Sequence, residues 1–222
     1  MERSTPRLVL YSDQVNPTTR RIDAQLLDLI GKANPKVGFL PANADPTRQY
    51  YRACAAYYQP LGVNLAPYFE LDLRYQPDLL PELLACDAIH LSGGNTFYFL
   101  KWLKTRRLDK TLRSYTADGG VLVGVSAGAI LMTPDAEPGE ICGDRQIGGL
   151  DNWEAMHLVN FHFIPHLNRF PDAEKLLRDY SVRKQARVYG CPDEAGLVVR
   201  GREIQPIGEI HCWENGRRVD LD

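Results

Sequence analysis

Five short apolar runs punctuate the first 126 residues: Arg7–Ser12, Lys36–Pro41, Val63–Phe69, Asp87–Ser92 and Val121–Ser126. Each is shorter than a helix needs and nearly uninterrupted, the pattern of strands buried on both faces. Segments of helical period lie between them. Thr18 or Thr19 can cap a helix running to about Ile30, and further helices are predicted over Thr47–Gln59, Pro77–Ala85, Phe97–Leu103 and Leu108–Ala117. Strands that alternate with helices have one economical solution, a parallel sheet covered on both sides. The expected fold is α/β, with a doubly wound, mostly parallel sheet flanked by helices.

Beyond Met132 the pattern changes. Asp135–Asn152 is rich in Gly, Asp, Glu and Pro, which predicts a surface loop and a candidate lid. Leu158–His166 reads as extended, Asp172–Lys184 as helix and Ala186–Tyr189 as strand. From Gly196 the tail alternates like antiparallel strands, and Asn215-Gly216 supplies a hairpin turn. A small antiparallel C-terminal region is therefore expected within one domain spanning residues 1–222.

The chain of 222 residues carries 26 Lys+Arg against 28 Asp+Glu, a formal net charge of −2. That balance speaks against nucleic acid or an anionic membrane as partner. The apolar run near the amino terminus, Leu8–Tyr11, is too short for a signal peptide or a membrane span. Five scattered cysteines without a C-x-x-C predict free thiols in a cytoplasmic protein, packed in the core.

The run Val121–Ser126 ends in chemistry. Gly124, Ser126 and Gly128 spell G-x-S-x-G, in which a serine sits on a sharp strand-to-helix turn above the edge of a sheet. A serine there either caps the helix or acts as nucleophile. Backbone N–H groups from Ala127 onward face the same point and can hold an oxyanion. Gly93-Gly94 follows another predicted strand and offers the second half of such a hole, or simply a tight turn.

An unactivated serine needs a base, usually His, oriented by a third group. His90 falls inside a strand, and His157 and His162 fall in the extended Leu158–His166 region. His211 falls in the tail and His166 follows Pro165 at a strand end. Cys191–Gly196 (CPDEAG) presents Asp193 and Glu194 side by side. Two orders remain open: Ser126, His166, then acid, or Ser126, acid, then His211 as in lipase- and esterase-like hydrolases.

Three segments, LSGGNTFYFL (Leu91–Leu100), GVSAGA (Gly124–Ala129) and IPHL followed by PDEAG, resemble the peptidase E (aspartyl dipeptidase) and cyanophycinase family of serine peptidases. The resemblance implies a class I glutamine amidotransferase-like fold. It implies Ser126 as nucleophile, His166 as base and Glu194 as acid, with Asp193 the alternative. Oxyanion donors would be the backbone N–H groups of Gly93 or Gly94 and of Ala127. Arg169 is the candidate to hold a substrate carboxylate, Arg178 lies further along the predicted helix, and Asn95 either contacts substrate or caps a helix, a role assigned to Thr96. The implied reaction is acyl transfer on a small peptide, dipeptides with an N-terminal aspartate above all, with no metal or cofactor. A homodimer is compatible with this. The contrasting class is a catalytically inactive amidotransferase-like binding domain.

Overall fold

The computed structural model describes residues 5–15, 17–72 and 74–221. Its main sheet has seven strands in the order β3-β2-β4-β5-β1-β8-β9. The five apolar runs form β1 (Arg7–Tyr11), β2 (Lys36–Leu40), β3 (Asn64–Tyr68), β4 (Ala88–Leu91) and β5 (Val121–Val125). All five are parallel to their neighbours within this set. β8 (Gly196–Arg200) and β9 (Glu203–Ile207) add an antiparallel edge beyond β1.

Helices α1 (Arg20–Ile30), α2 (Gln49–Tyr58), α3 (Leu80–Leu84), α4 (Thr96–Thr105) and α5 (Leu108–Ala117) connect the parallel strands. Thr18 and Thr19 do not cap α1 through their side chains. Both hydroxyls donate back to the Val15 carbonyl instead. Burying the strands on both sides produces two apolar layers, one around Leu8, Leu10, Leu91 and Phe97, the other around Val9, Tyr11, Val123 and Tyr58.

The tail strands are antiparallel as expected. They divide, and only β8 and β9 join the main sheet. A second sheet, β11-β10-β7-β6, is built from β6 (Phe161–Ile164), β7 (Arg187–Gly190), β10 (His211–Glu214) and β11 (Arg217–Val219). Asn215 and Gly216, at φ 50° and 78°, turn the β10–β11 hairpin as its sequence predicts. Helix α8 (Ala173–Lys184) packs on this sheet through Leu177 and Tyr180.

Asp135–Asn152 is not simply a loop. It contains α7 (Glu137–Ile141), where Pro138 and Gly139 are buried. Glu137 pairs with Arg183 and Lys184 on α8, and Lys184 also reaches Asp135 at 2.7 Å. These ion pairs fasten the first part of the segment to α8.

The turn after β5 is the tightest contact in the main sheet. Ser126 leaves the strand and a short helix, α6 (Ala127–Ile130), begins at once. A Cβ on Gly128 would lie 2.1 Å from the Leu91 carbonyl oxygen, and one on Gly124 would lie 2.5 Å from the Ala129 nitrogen. Both neighbours are backbone and neither can yield. Gly128→Ala is expected to lower unfolding free energy by about 1–3 kcal/mol, the cost of overpacking a filled site. Urea denaturation checks this, and an unchanged midpoint would contradict it.

Candidate active site

The sequence of the turn dictates where Ser126 points. With glycines at positions 124 and 128, strand and helix close together, and the residue between them is forced to φ 47°, ψ −106°. That backbone is uncommon for a residue with a side chain and is held only because its surroundings overdetermine it. It lifts the hydroxyl above the carboxyl ends of the parallel strands, where open α/β sheets bind ligands.

His166 comes from the second sheet. It follows β6 and Pro165 and takes a left-handed backbone at φ 58°. Its Nε2 lies 2.9 Å from Ser126 Oγ, and its Nδ1 lies 2.5 Å from Asp193 Oδ1. The acid facing His166 is thus Asp193. Glu194, the acid given first place by family resemblance, is exposed. The cause is local: Asp193 is clamped by Asn168, which accepts the Asp193 backbone N–H at 3.0 Å and donates to its Oδ2 at 3.1 Å. His211 sits on β10, paired with Gly190, and its ring faces Glu209. The ring that meets Ser126 is that of His166, as the order Ser126, His166, acid expects. His90 and His162 are buried in the packing, at 2% and 3% exposure.

A buried hydroxyl joins these parts. Ser12, at the end of β1, donates to the Cys191 carbonyl at 2.9 Å and accepts the His166 backbone N–H at 2.7 Å. The backbone adds Ser12 N–H to Ala195 O and Asp13 N–H to Asp193 O. Sequence reasoning passed over Ser12, Asp13 and Asn168. The available signal was position: Ser12 and Asp13 are the first polar residues after a predicted buried strand.

The Gly93-Gly94 turn reaches the same place. A Cβ on Gly93 would lie 3.7 Å from the Ser126 Cβ. Neither amide N–H donates to a protein acceptor among the described residues. Gly94, at φ 144°, is pressed so closely on Asn43 that a Cβ would meet its Nδ2 at 2.6 Å. The N–H of Ala127, at the first position of α6, has no partner within the helix either. The Gly93-Gly94 turn and the first N–H of α6 therefore lie beside the Ser126 turn with amides that no protein acceptor takes up among the described residues. Asn95 is the cap of α4, its Oδ1 accepting the Tyr98 N–H at 2.8 Å, while Thr96 instead bonds Asp144. That reverses the expected cap and commits the Asn95 carbonyl oxygen to the helix.

Arg169 lies at the edge. Its Nη2 is 3.1 Å from Asp193 Oδ1 and 3.7 Å from Asp13 Oδ2, and its side chain is 55% exposed. Arg178, on α8, pairs with Asp179 at the surface. Asp13, His166 and Asp193 carry ligand atoms within 4.8 Å of one another. Arg169 and the short His166–Asp193 hydrogen bond already use that cluster, and nothing further there points to an ion.

Burial pushes the Asp193 carboxyl up, but hydrogen bonds from His166 and Asn168 and the charges of His166 and Arg169 outweigh it. Its pKa consequently lies below the ordinary carboxylate value.

A strained serine facing a histidine and a carboxylate, beside unpaired amides, defines a serine hydrolase site on an α/β sheet. Residues 8–207 match the model of peptidase family S51, and the chain belongs to that family as a serine peptidase. It is 30% identical over 141 residues to an uncharacterized peptidase of Listeria monocytogenes, covering 61% of this chain and 68% of that one. It is 31% identical over 195 residues to a probable alpha-aspartyl dipeptidase of Drosophila melanogaster, covering 83% and 78%. A peptidase E of Nostoc is 24% identical, covering 91% and 86%. A 1.5 Å crystal structure from Listeria monocytogenes shares the fold at TM-score 0.73 and 24% identity, covering 92% of this chain and 98% of that one. No helix among the described residues is long and apolar enough to cross a membrane.

Two outcomes follow from these contacts. Ser12→Ala removes two buried hydrogen bonds and strands the His166 N–H. It should cost about 1–3 kcal/mol in urea denaturation and slow labelling of Ser126 by a fluorophosphonate; unchanged labelling would contradict the joining role. The second concerns acid. The folded-state pKa of Asp193 lies below the unfolded one, so its contribution to stability is full above the unfolded value, ~3.9 for aspartate, and disappears as pH falls through the folded value. The stability difference between the protein and its Asp193→Asn variant should therefore shrink between about pH 5 and pH 2. A constant difference in urea denaturation across that range would refute the linkage.

Proposed function

We propose that the protein hydrolyses short peptides through an acyl-enzyme on Ser126, and that dipeptides with an N-terminal aspartate are its preferred substrates. The carrying observation is the pair of contacts Ser126 Oγ to His166 Nε2 at 2.9 Å and His166 Nδ1 to Asp193 at 2.5 Å. The Ser126 oxygen bonds to the scissile carbonyl carbon as its proton passes to His166 Nε2. Asp193 accepts the hydrogen bond of Nδ1–H and stabilises the imidazolium that forms. The carbonyl oxygen becomes an oxyanion facing the Gly93, Gly94 and Ala127 amides, each such donor worth about 3–4 kcal/mol in comparable sites. His166 then returns its proton to the leaving amine as the C–N bond breaks. Water attacks the ester by the same route and frees Ser126.

The aspartyl preference rests on the edge of the site. A dipeptide with N-terminal aspartate presents an ammonium and a carboxylate on adjoining carbons. Asp13 and Arg169 present the complementary charges 3.7 Å apart, both substantially exposed. The fork of Arg suits a carboxylate. The dipeptidase name of the Drosophila relative points the same way. Arg169 also supports Asp193, so substrate would share a guanidinium already bound to the acid. Assembly into a homodimer and residence in the cytoplasm complete the proposal.

Hydrolysis of Asp-Leu by the purified protein tests the activity, and Leu-Leu should be cleaved far more slowly. Asp193→Asn should lower kcat by about three orders of magnitude or more, as loss of the orienting acid does in other serine peptidases. Glu194→Gln should stay within about threefold, since surface changes away from such contacts have small effects. Cleavage of other short peptides without cleavage of Asp-Xaa would overturn the specificity. Equal losses in the two acid variants would overturn the assignment of Asp193.

A further inference from the structure

A cleft of about 480 Å³ opens beside the Gly93-Gly94 turn, between the ends of β2 and β4 and the outer face of α2. Its size falls within the usual range of small-molecule sites. Val125 and Gly93 place it against Ser126, and Asp13 forms its rim on the side of Arg169. Its floor is made by Phe39 and His90, whose rings stack 5.2 Å apart at 11°, and by Cys54. Burial lowers the His90 pKa to about 3 and raises that of Cys54 to about 12, so both are neutral at working pH. No Lys or Arg lines the cleft among the described residues.

Neither of the two carboxylates present is left to select a charged side chain, since Asp13 is already assigned above, with Arg169, to the N-terminal aspartate. Asp45 is buried and accepts the N–H groups of Gln49, Tyr50 and Tyr51 at the start of α2. Asp13 faces Arg169. The ring of Tyr50 is left over. It stands on the first turn of α2, lines the cleft and is 66% exposed, although it is a large aromatic. An exposed aromatic over a neutral, ring-floored cleft is suited to close on another flat apolar group.

We infer that this cleft is the subsite for the residue on the leaving side of the scissile bond, and that it selects a large neutral side chain, aromatic above all, with Tyr50 covering it. This rests on the peptidase reading above. If Asp13 and Arg169 take the N-terminal aspartate, the adjoining cleft receives the side chain that follows. The preferred substrates are then dipeptides of the type Asp-Phe or Asp-Tyr. Asp-Lys and Asp-Glu are disfavoured, because a charged group would lose its hydration against a floor that offers it no partner. Tyr50 touches the substrate side chain and not the reacting atoms, so its loss acts on KM.

The test has two arms. In the first, kcat/KM is measured for Asp-Phe, Asp-Gly, Asp-Lys and Asp-Glu with the protein and with Tyr50→Ala. Asp-Phe is expected to exceed each of the others about tenfold or more. Tyr50→Ala should raise KM for Asp-Phe several-fold while leaving kcat, and both constants for Asp-Gly, unchanged. In the second arm, calorimetry on Ser126→Ala compares binding of Asp-Phe, Asp-Gly and phenylalanine amide, with and without Tyr50→Ala. Tighter binding of the two aromatic probes, lost with Tyr50→Ala, supports the subsite even if no Asp-Xaa peptide is hydrolysed; that result would fault only the aspartyl dipeptidase reading. Equal binding of Asp-Phe and Asp-Gly, or equal effects of Tyr50→Ala on both, overturns the subsite whether or not the peptides are cleaved.

Discussion

The two sheets of this protein meet under its reactive serine, and the hydroxyl of Ser12 is the joint. Ser126 and the glycine turn belong to the main sheet, while His166 follows the second. Asp193 lies on the segment that crosses from β7 in the second sheet to β8 in the first. Hydrogen bonds between elements of different sheets are what hold such a site to a few tenths of an ångström. Ser12 bonds the His166 backbone with one side of its oxygen and the Cys191 carbonyl with the other, fully buried. A buried hydroxyl with both roles satisfied is strong in a low dielectric, and a half-satisfied one would be costly. The short Ser126–His166 contact is therefore a property of the assembly, not of either loop.

The elbow carries the complementary constraint. Backbone packs directly on backbone at Gly128 and Leu91, which holds β4 and α6 in close contact. This brings the Gly93-Gly94 amides beside Ser126 without any side chain reaching between them. In the proposed mechanism the oxyanion donors are main-chain groups, which require no reorganisation when charge develops.

The main sheet was legible because β1, β2, β4 and β5 are buried on both faces and read as unbroken apolar runs. Ser126, Gly93, Gly94 and His166 were legible for the same reason: each stands at the end of such a run. The second sheet was obscure. Its strands have three or four residues each and pair across long separations, as β6 does with β7 around the whole of α8. Nothing in the tail says that β8–β9 and β10–β11 part company. Asp135–Asn152 misled because its polar residues serve ion pairs to α8, and its buried residues are Pro138 and Gly139, which carry no periodic signal. Asp193 and Glu194 have the same charge and adjoin. Only the clamp by Asn168, 25 residues away, decides which faces His166. The cleft was invisible since α2 buries Tyr58 alone and presents weak amphipathicity.

The route of the chain through Asp193 has a mechanical consequence. The Asp193 loop is one of the crossings between two sheets that share an apolar core. Any loosening of the C-terminal hairpin, which pairs with β7, is transmitted to that loop before it reaches the core of the main sheet. Turnover in such a molecule would fade while most of its secondary structure still stood.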